Sequence, residues 1–483
     1  MIFLFRCVVA LPCVMIIAGC VPSKYDIKKS YVQASSSLKE KIYSVEERIS
    51  EKFNKIQSVQ KSEINNYQSS NAESIEELLA DKPEDNQKET YDLNMPLQST
   101  LVSVITNHPE VKVAHYLEEA AEQDVLASKG LYKPQITGSL NAGGIKENTN
   151  SSSTTTGLGL NAGISQLIYD GGYTAGGIGK KNALFEKAKS NKSLVQNRIG
   201  FEATSAWIDL WASKEKLNEI NITLNEIGPI LADIKRMAGT GLIDRTIVDN
   251  IENSLLKVSM NKENLEIEIE KNKLRYENFF GKVPNDVIKP ENLFDITKLE
   301  EKISEKSTIP SLRFAAAEYI ASQEEVNSIQ GEFKPKVNFK LTANSPLDRD
   351  DNASLAIGIA STYTFSDGGV LKARLKVAQA KSSQMKFALE SARLETTKSI
   401  KSDIKMLSFL KKSRTLILKS LQNNKQSLSV LKSQIKTGQS KLNNLIDMHV
   451  ERLGIRNNLL DNTAQIEITK YSLASILGLF SGT

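Results

Sequence analysis

The sequence predicts a duplicated, mixed α/β chain in which a helix, a β-hairpin and a pair of very long helices follow one another twice. Three observations carry this. The first is a doubled set of motifs. Lys133-Pro134-Gln135-Ile136 is answered by Lys334-Pro335-Lys336-Val337, Tyr169-Asp170-Gly171-Gly172 by Phe365-Ser366-Asp367-Gly368-Gly369, and Thr240-Gly241 by Thr437-Gly438. The spacings match as well. Pro109 to Pro134 and Pro310 to Pro335 are both 25 residues, and Asp170 to Gly241 and Asp367 to Gly438 are both 71. Only Pro134 to Asp170 differs from its counterpart, 36 residues against 32. The second observation is paired segments of period-2 alternation. The third is a run of 68 residues, Val370 to Thr437, without Gly or Pro. A repeat of about 200 residues is far longer than a solenoid unit, so it marks two copies of one folding unit.

Each repeat reads in the same order. A helix opens at Pro109 and again at Pro310, where the missing proline N–H costs little in a first turn. Alternating segments follow: Ile136, Gly138, Leu140 and Ala142, then Leu158, Leu160, Ala162 and Ile164. In the second copy the sets are Val337, Phe339, Leu341 and Ala343, then Leu355, Ile357 and Ile359. Turn-rich stretches, Gly143 to Thr156 and Asn344 to Asn352, separate the members of each pair, so each reads as a hairpin with a polar loop. A long helix comes next, Tyr173 to Ala238 in the first copy, interrupted by Gly176, Gly177, Gly179, Gly200, Gly228 and Pro229. After the Thr-Gly turns, helices return over Leu242 to Phe280 and Ser440 to Leu477.

Physical limits join these parts. Sixty-eight helical residues span roughly 100 Å and must pack lengthwise against equally long partners. Strands of about ten residues or more are long enough to cross a bilayer when tilted. Four strands cannot close a barrel, and an open sheet edge is not tolerated in lipid. Strands that span therefore require several chains to share one barrel; three would supply about twelve strands.

The N-terminus sets the compartment. Arg6 precedes an apolar run, Cys7 to Ala18, which ends at Ile17-Ala18-Gly19-Cys20. The run is short for a spanning helix, and small residues before a Cys resemble a bacterial lipoprotein signal, with Cys20 as the lipidated residue. Residues 1–19 are then the signal. Residues 20–92 form a polar extension with a helical stripe, Leu38, Ile42, Val45, Ile49, Phe53, Ile56 and Val59. The repeats occupy 93–300 and 301–483. Removing the signal leaves one of the three Cys, which excludes a disulfide or a Cys metal site within the chain.

Little in the sequence supports chemistry. Charged residues make up 25% and nearly balance at +5, scattered along helices, so nucleic acid is not implied. His108, His115 and His449 lack metal spacing. Gly179-Lys180-Lys181 lacks the upstream Gly and following Ser or Thr of a phosphate loop. Asp170 and Asp367 read as turn and helix-cap residues, with Gly171, Gly172, Gly368 and Gly369 permitting the strand-to-helix change. Trp207 and Trp211 read as packing. No cofactor, metal or catalytic group is expected.

The doubled motifs resemble the TolC family of outer-membrane channels over residues 93–483. That resemblance implies a homotrimer: a twelve-stranded β-barrel in outer-membrane lipid, continued by a long α-helical tunnel through the periplasm. It implies a periplasmic adaptor and an inner-membrane ABC or proton-driven pump as partners, and anchoring of Cys20 in the outer membrane, since Val21 rather than Asp follows it. It places a pore constriction at Asn444 and Asp447, where family members often carry two Asp. It places adaptor docking at Thr240, Gly241, Arg245, Thr437, Gly438 and Lys441. By their charge, Arg245 and Lys441 are expected to pair with carboxylates at this tip and hold it closed. Gln166 to Gly172 is similar to members serving type I protein secretion, whereas the lipoprotein form is similar to members serving drug efflux. The alternative is a periplasmic lipoprotein adaptor or coiled-coil scaffold without a channel.

Overall fold

The computed structural model describes residues 97–147, 153–283, 287–290, 308–345, 353–436 and 442–482. Cys20, the extension 20–92, and Thr437, Gly438 and Lys441 lie outside them. The first copy comprises α1 (Leu97–Asn107), α2 (Pro109–Gly130), β1 (Gln135–Glu147), β2 (Ser153–Tyr169), α3 (Tyr173–Gly239) and α4 (Arg245–Phe280). The second comprises α5 (Pro310–Gly331), β3 (Lys336–Ser345), β4 (Ser354–Thr362), α6 (Val370–Lys436) and α7 (Leu442–Ile476), closed by a 3₁₀ turn at Leu479–Gly482. Helix α1 was not anticipated from the sequence.

The two hairpins join into one four-stranded sheet, ordered β1-β2-β3-β4 and antiparallel throughout. In the first hairpin the strands extend well into the segment that reads as loop: Gly143 pairs Gly157, Ile145 pairs Thr155 and Glu147 pairs Ser153. Polar side chains do not stop a ladder of backbone hydrogen bonds, and the Thr-rich return strand has high β-propensity. The register aligns the alternation across the sheet. Ile136 faces Ile164, which faces Leu341, which faces Ile357. Leu140 faces Leu160, and Phe339 faces Ile359. One face is therefore apolar, and Thr137, Ser139, Asn141, Asn338, Lys340 and Thr342 lie on the other.

Helix α3 runs unbroken for 67 residues, with Pro229 inside it. Three of the glycines that read as interruptions, Gly176, Gly179 and Gly200, instead admit close neighbours. A Cβ on Gly176 would lie 2.5 Å from the Ser328 nitrogen, and one on Gly200 would lie 2.5 Å from the Phe480 ring. Asn197 holds that C-terminal turn by accepting the Phe480 N–H at 2.9 Å. Helix α6 is also 67 residues. Near the sheet, α3 packs against α2 and α5; farther along it packs against α4 and α7, and α7 against α6. A core of Ile199, Ala203, Ile208, Ile309, Leu312, Ala316, Tyr471 and Phe480 sits at mid-length, where α1, α5 and the C-terminal turn converge on α3. Trp207 packs edge-on to Tyr276 and Phe280 and donates Nε1–H to the Ile288 carbonyl at 3.0 Å. No helix among the described residues is long and apolar enough to cross a membrane.

Candidate functional site: the helical tips

Both strand-to-helix turns are built alike. The Asp170 carboxylate accepts N–H groups from Gly172 at 3.1 Å and Thr174 at 2.8 Å. The Asp367 carboxylate accepts them from Gly369 at 2.9 Å and Leu371 at 2.6 Å. Gly171, Gly172, Gly368 and Gly369 all have φ between 69° and 97°, a region glycine enters at little cost. The backbone donors, Leu371 foremost and then Gly369, hold the Asp367 carboxyl below its ordinary value.

The far tip of the first copy is a helix terminator followed directly by an initiator. Gly241, at φ 76°, donates its N–H to Ala238 O at 3.1 Å, and Leu242 donates to Met237 O at 3.0 Å. This pair of bonds satisfies the last carbonyls of α3. The Thr240 hydroxyl donates to Met237 O at 2.9 Å. Three residues past the glycine, Asp244 caps α4 by accepting Thr246 N–H at 2.9 Å. That residue was missed in the sequence, although an Asp just before a helix is a standard N-cap signal. Arg245 is exposed at the first position of α4 and makes no ion pair among the described residues.

In the second copy, Asn444 and Asp447 stand three apart in the first turns of α7 and are both exposed. That spacing puts them on one face of the helix. The opposite face is buried: Leu445, Ile446, His449 and Leu453, with Ile446 fully enclosed by Ile227, Ile234, Val248 and Ile251. The first copy has Ile247 and Asn250 at the matching positions.

Helix α7 is tied to α3 by an antiparallel ladder of charge: Asp461 with Lys216, Arg456 with Glu219, and Arg452 with Glu226. His449 joins the last rung, its Nδ1 3.0 Å from Glu226 Oε2. No sequence signal could have found this cluster, because Glu226 and His449 are 223 residues apart. Hydrogen bonds without ion pairing link α7 to α6: Asn424 Nδ2 donates to Met448 O at 3.3 Å, and Ser472 Oγ donates to the Asp403 carboxylate at 2.9 Å. Among the described residues no cluster of His, Cys, Asp or Glu could hold a metal.

Residues 306–479, nearly all of the second repeat, match the family described as outer membrane efflux protein. No curated protein matches the chain by sequence. Among solved structures, the chain is similar to the outer membrane protein VceC from Vibrio cholerae. The TM-score is 0.70 at 13% identity, covering 79% of this chain and 96% of that one. It is similar also to the Campylobacter jejuni CmeC outer membrane channel, with TM-score 0.68 at 12% identity, covering 85% and 93%. The open state of the Neisseria gonorrhoeae MtrE outer membrane channel gives 0.66 at 14%, covering 79% and 88%. At these identities the structures establish the fold alone, one shared with outer membrane channels, and the family match to the second repeat agrees with the resemblance drawn from the doubled motifs.

Proposed function

We propose that this chain, an outer membrane efflux protein by the family its second repeat matches and by its fold, is the exit duct of a tripartite export system. Three copies share one twelve-stranded barrel, and their helices continue it as a periplasmic tunnel. The observation that carries this reading is the sheet. The apolar residues of its strands share one face, much of it uncovered: Ile136, Leu140, Leu160, Leu355, Ile357 and Ile359 are all more than half exposed. At its margins, among the described residues, β1 pairs only with β2 and β4 only with β3. A half-apolar sheet with two free edges is what a barrel segment looks like before its neighbours are added.

The same argument applies along the helices. Val377, Phe387, Leu394, Phe409 and Leu416 on α6, and Leu256, Met260, Ile267 and Leu274 on α4, are more than half exposed. These helices flank the α3–α7 pair, so their apolar stripes are positioned for adjacent copies.

The duct does no chemistry. Asn444 and Asp447 form the constriction at the tunnel's periplasmic end, with one ring of carboxylates that attracts cations. The adaptor docks at the tips, Thr240 to Arg245 and Thr437 to Lys441, and the pump behind it, ABC or proton-driven, supplies the energy. Cys20 carries the lipid anchor. An adaptor without a channel is not favoured, because it has no use for a sheet with one continuous apolar face. The test is electrical and hydrodynamic. Purified full-length protein in planar bilayers should conduct and should run as a trimer. A monomer that gives no conductance sinks the reading.

A further inference from the structure

His449 is only 1% exposed, so a charge on its ring would be cut off from water. Two groups compete for Nδ1 and want opposite things. Glu226 Oε2, at 3.0 Å, can only accept a proton; the Arg452 guanidinium, at 3.1 Å, can only donate one. No tautomer satisfies both. Nε2 is sealed from solvent and has no hydrogen-bond partner among the described residues. The charges facing the ring come from each side. Helix α3 presents Glu226, already engaged by Arg452 through the same Oε2 atom. Helix α6 presents Lys432, close enough to repel a charge on the ring. Helix α4 contributes Val248 and Ile251 to the adjoining core, and its Glu252 is paired with Lys235 at 2.5 Å.

The position on α7 gives this arrangement a use. His449 lies two residues from Asp447 and five from Asn444, on the buried face of the same two turns. We propose that His449 is a proton-operated positioning residue, which holds the constriction segment of α7 against α3 while neutral and loosens it when protonated. This rests on the duct reading only for what the movement does; the movement itself is a property of the helix pair.

The direction follows from the chemistry. Burial pushes the His449 pKa down from its ordinary 6.5, and Lys432 adds to the shift. The docked ring thus holds a proton less tightly than a released one. Docking is at full strength above pH 6.5 and weakens as the pH falls below it toward the lowered value. The doubly protonated ring carries an N–H on Nε2 that nothing among the described residues accepts.

The experiment uses the full-length assembly in lipid, read by channel open probability and by hydrogen exchange of residues 442–456. From about pH 7.5 to about 5.5, the range of histidine titration, open probability should rise and protection should fall. One proton limits the change to about tenfold per pH unit. In His449→Gln both readouts should be flat across that window. If the Gln variant keeps the wild-type profile, or if wild type shows none, the proposal is overturned. Lys432→Met is a second probe: removing that repulsion should move the midpoint to higher pH, and an unmoved midpoint also overturns it. An exchange response without conductance at any pH would sink the duct and leave the latch standing.

Discussion

Gly331 lies so close beneath Tyr173 that a Cβ on the glycine would fall 2.3 Å from the Tyr173 nitrogen. The contact is one rung of a seam where α5 meets α3. Ser328 lies over Gly176, the Glu324 carboxyl lies over Gly179, and Ser328 Oγ donates to Tyr173 O at 2.9 Å. The seam fixes the angle at which the helices leave the sheet. Gly331→Ala and Gly176→Ala should each destabilise by about 1–3 kcal/mol, the usual cost of overpacking. Gly177→Ala, with open space where its Cβ would go, should be neutral or gain up to about 1 kcal/mol from helix propensity. Thermal unfolding of the three variants separates close packing from mere helix interruption.

In the proposed trimer, the internal repeat predicts the join between subunits residue by residue. Within the chain, β2 pairs β3 with Ile164 opposite Leu341. The two hairpins have the same register, since Ile136 pairs Ile164 and Val337 pairs Ser361. Ser361 is thus the counterpart of Ile164, and Leu140 that of Leu341. If β4 meets β1 of a neighbouring copy as β2 meets β3, then Ser361 faces Leu140 across the boundary. Cysteines at these two positions should cross-link subunits into a ladder ending at a trimer, because directly opposed Cβ atoms are about 5 Å apart. Leu140→Cys with Ala360→Cys should not, since a slip of one residue turns the side chain to the other face. Equal cross-linking of both pairs would show that the repeat does not set the register.

The sequence was most legible where periodicity and punctuation agree. The hairpins, the Asp-Gly-Gly exits and the Pro-started α2 and α5 could all be read from local pattern. Helix limits shifted little, Arg245 rather than Leu242 beginning α4, because the Thr-Gly turn needs Leu242 to satisfy α3 and Asp244 to cap α4. Gly176, Gly179 and Gly200 misled, since a glycine that breaks a helix and one that admits a neighbour look the same in one dimension. The ladder from Lys216 to Glu226 against Asp461 to His449 was invisible, because its partners meet only after the two repeats pack.

The Asp367 cap gives its turn a predictable acid sensitivity. Asp367 holds its carboxyl below 3.8 through the N–H groups of Leu371 and Gly369. A depressed folded value stabilises above the unfolded one and is lost as pH falls through it. The start of α6 should therefore loosen below about pH 4, seen as faster hydrogen exchange at 369–373, and Asp367→Asn should flatten that acid limb. Asp170 is buried and accepts two N–H groups, so Asp170→Ala should cost about 1 kcal/mol in equilibrium unfolding, within the range of lost N-caps. An Asp170→Ala variant as stable as wild type would show that the paired glycines alone set the turn.

The proposed constriction makes a prediction in which the two repeats serve as each other's control. Asp447 and Asn444 share the exposed face of α7, whereas Ile247 and Asn250 hold those places on α4, so any ring charge comes from the second copy alone. In the proposed trimer, three Asp447 carboxylates around one axis would concentrate cations at the tunnel mouth. Asp447→Asn should bring cation-over-anion permeability in planar bilayers toward unity. Asn444→Asp, which restores the second acidic position, should raise it above wild type. Asn250→Asp places a carboxylate at the matching height of the first copy. If only the α7 tips line the narrowest point, it should change selectivity far less than Asn444→Asp does. Equal effects from the two would mean that both tips border the pore, and the gate would then be shared between the repeats.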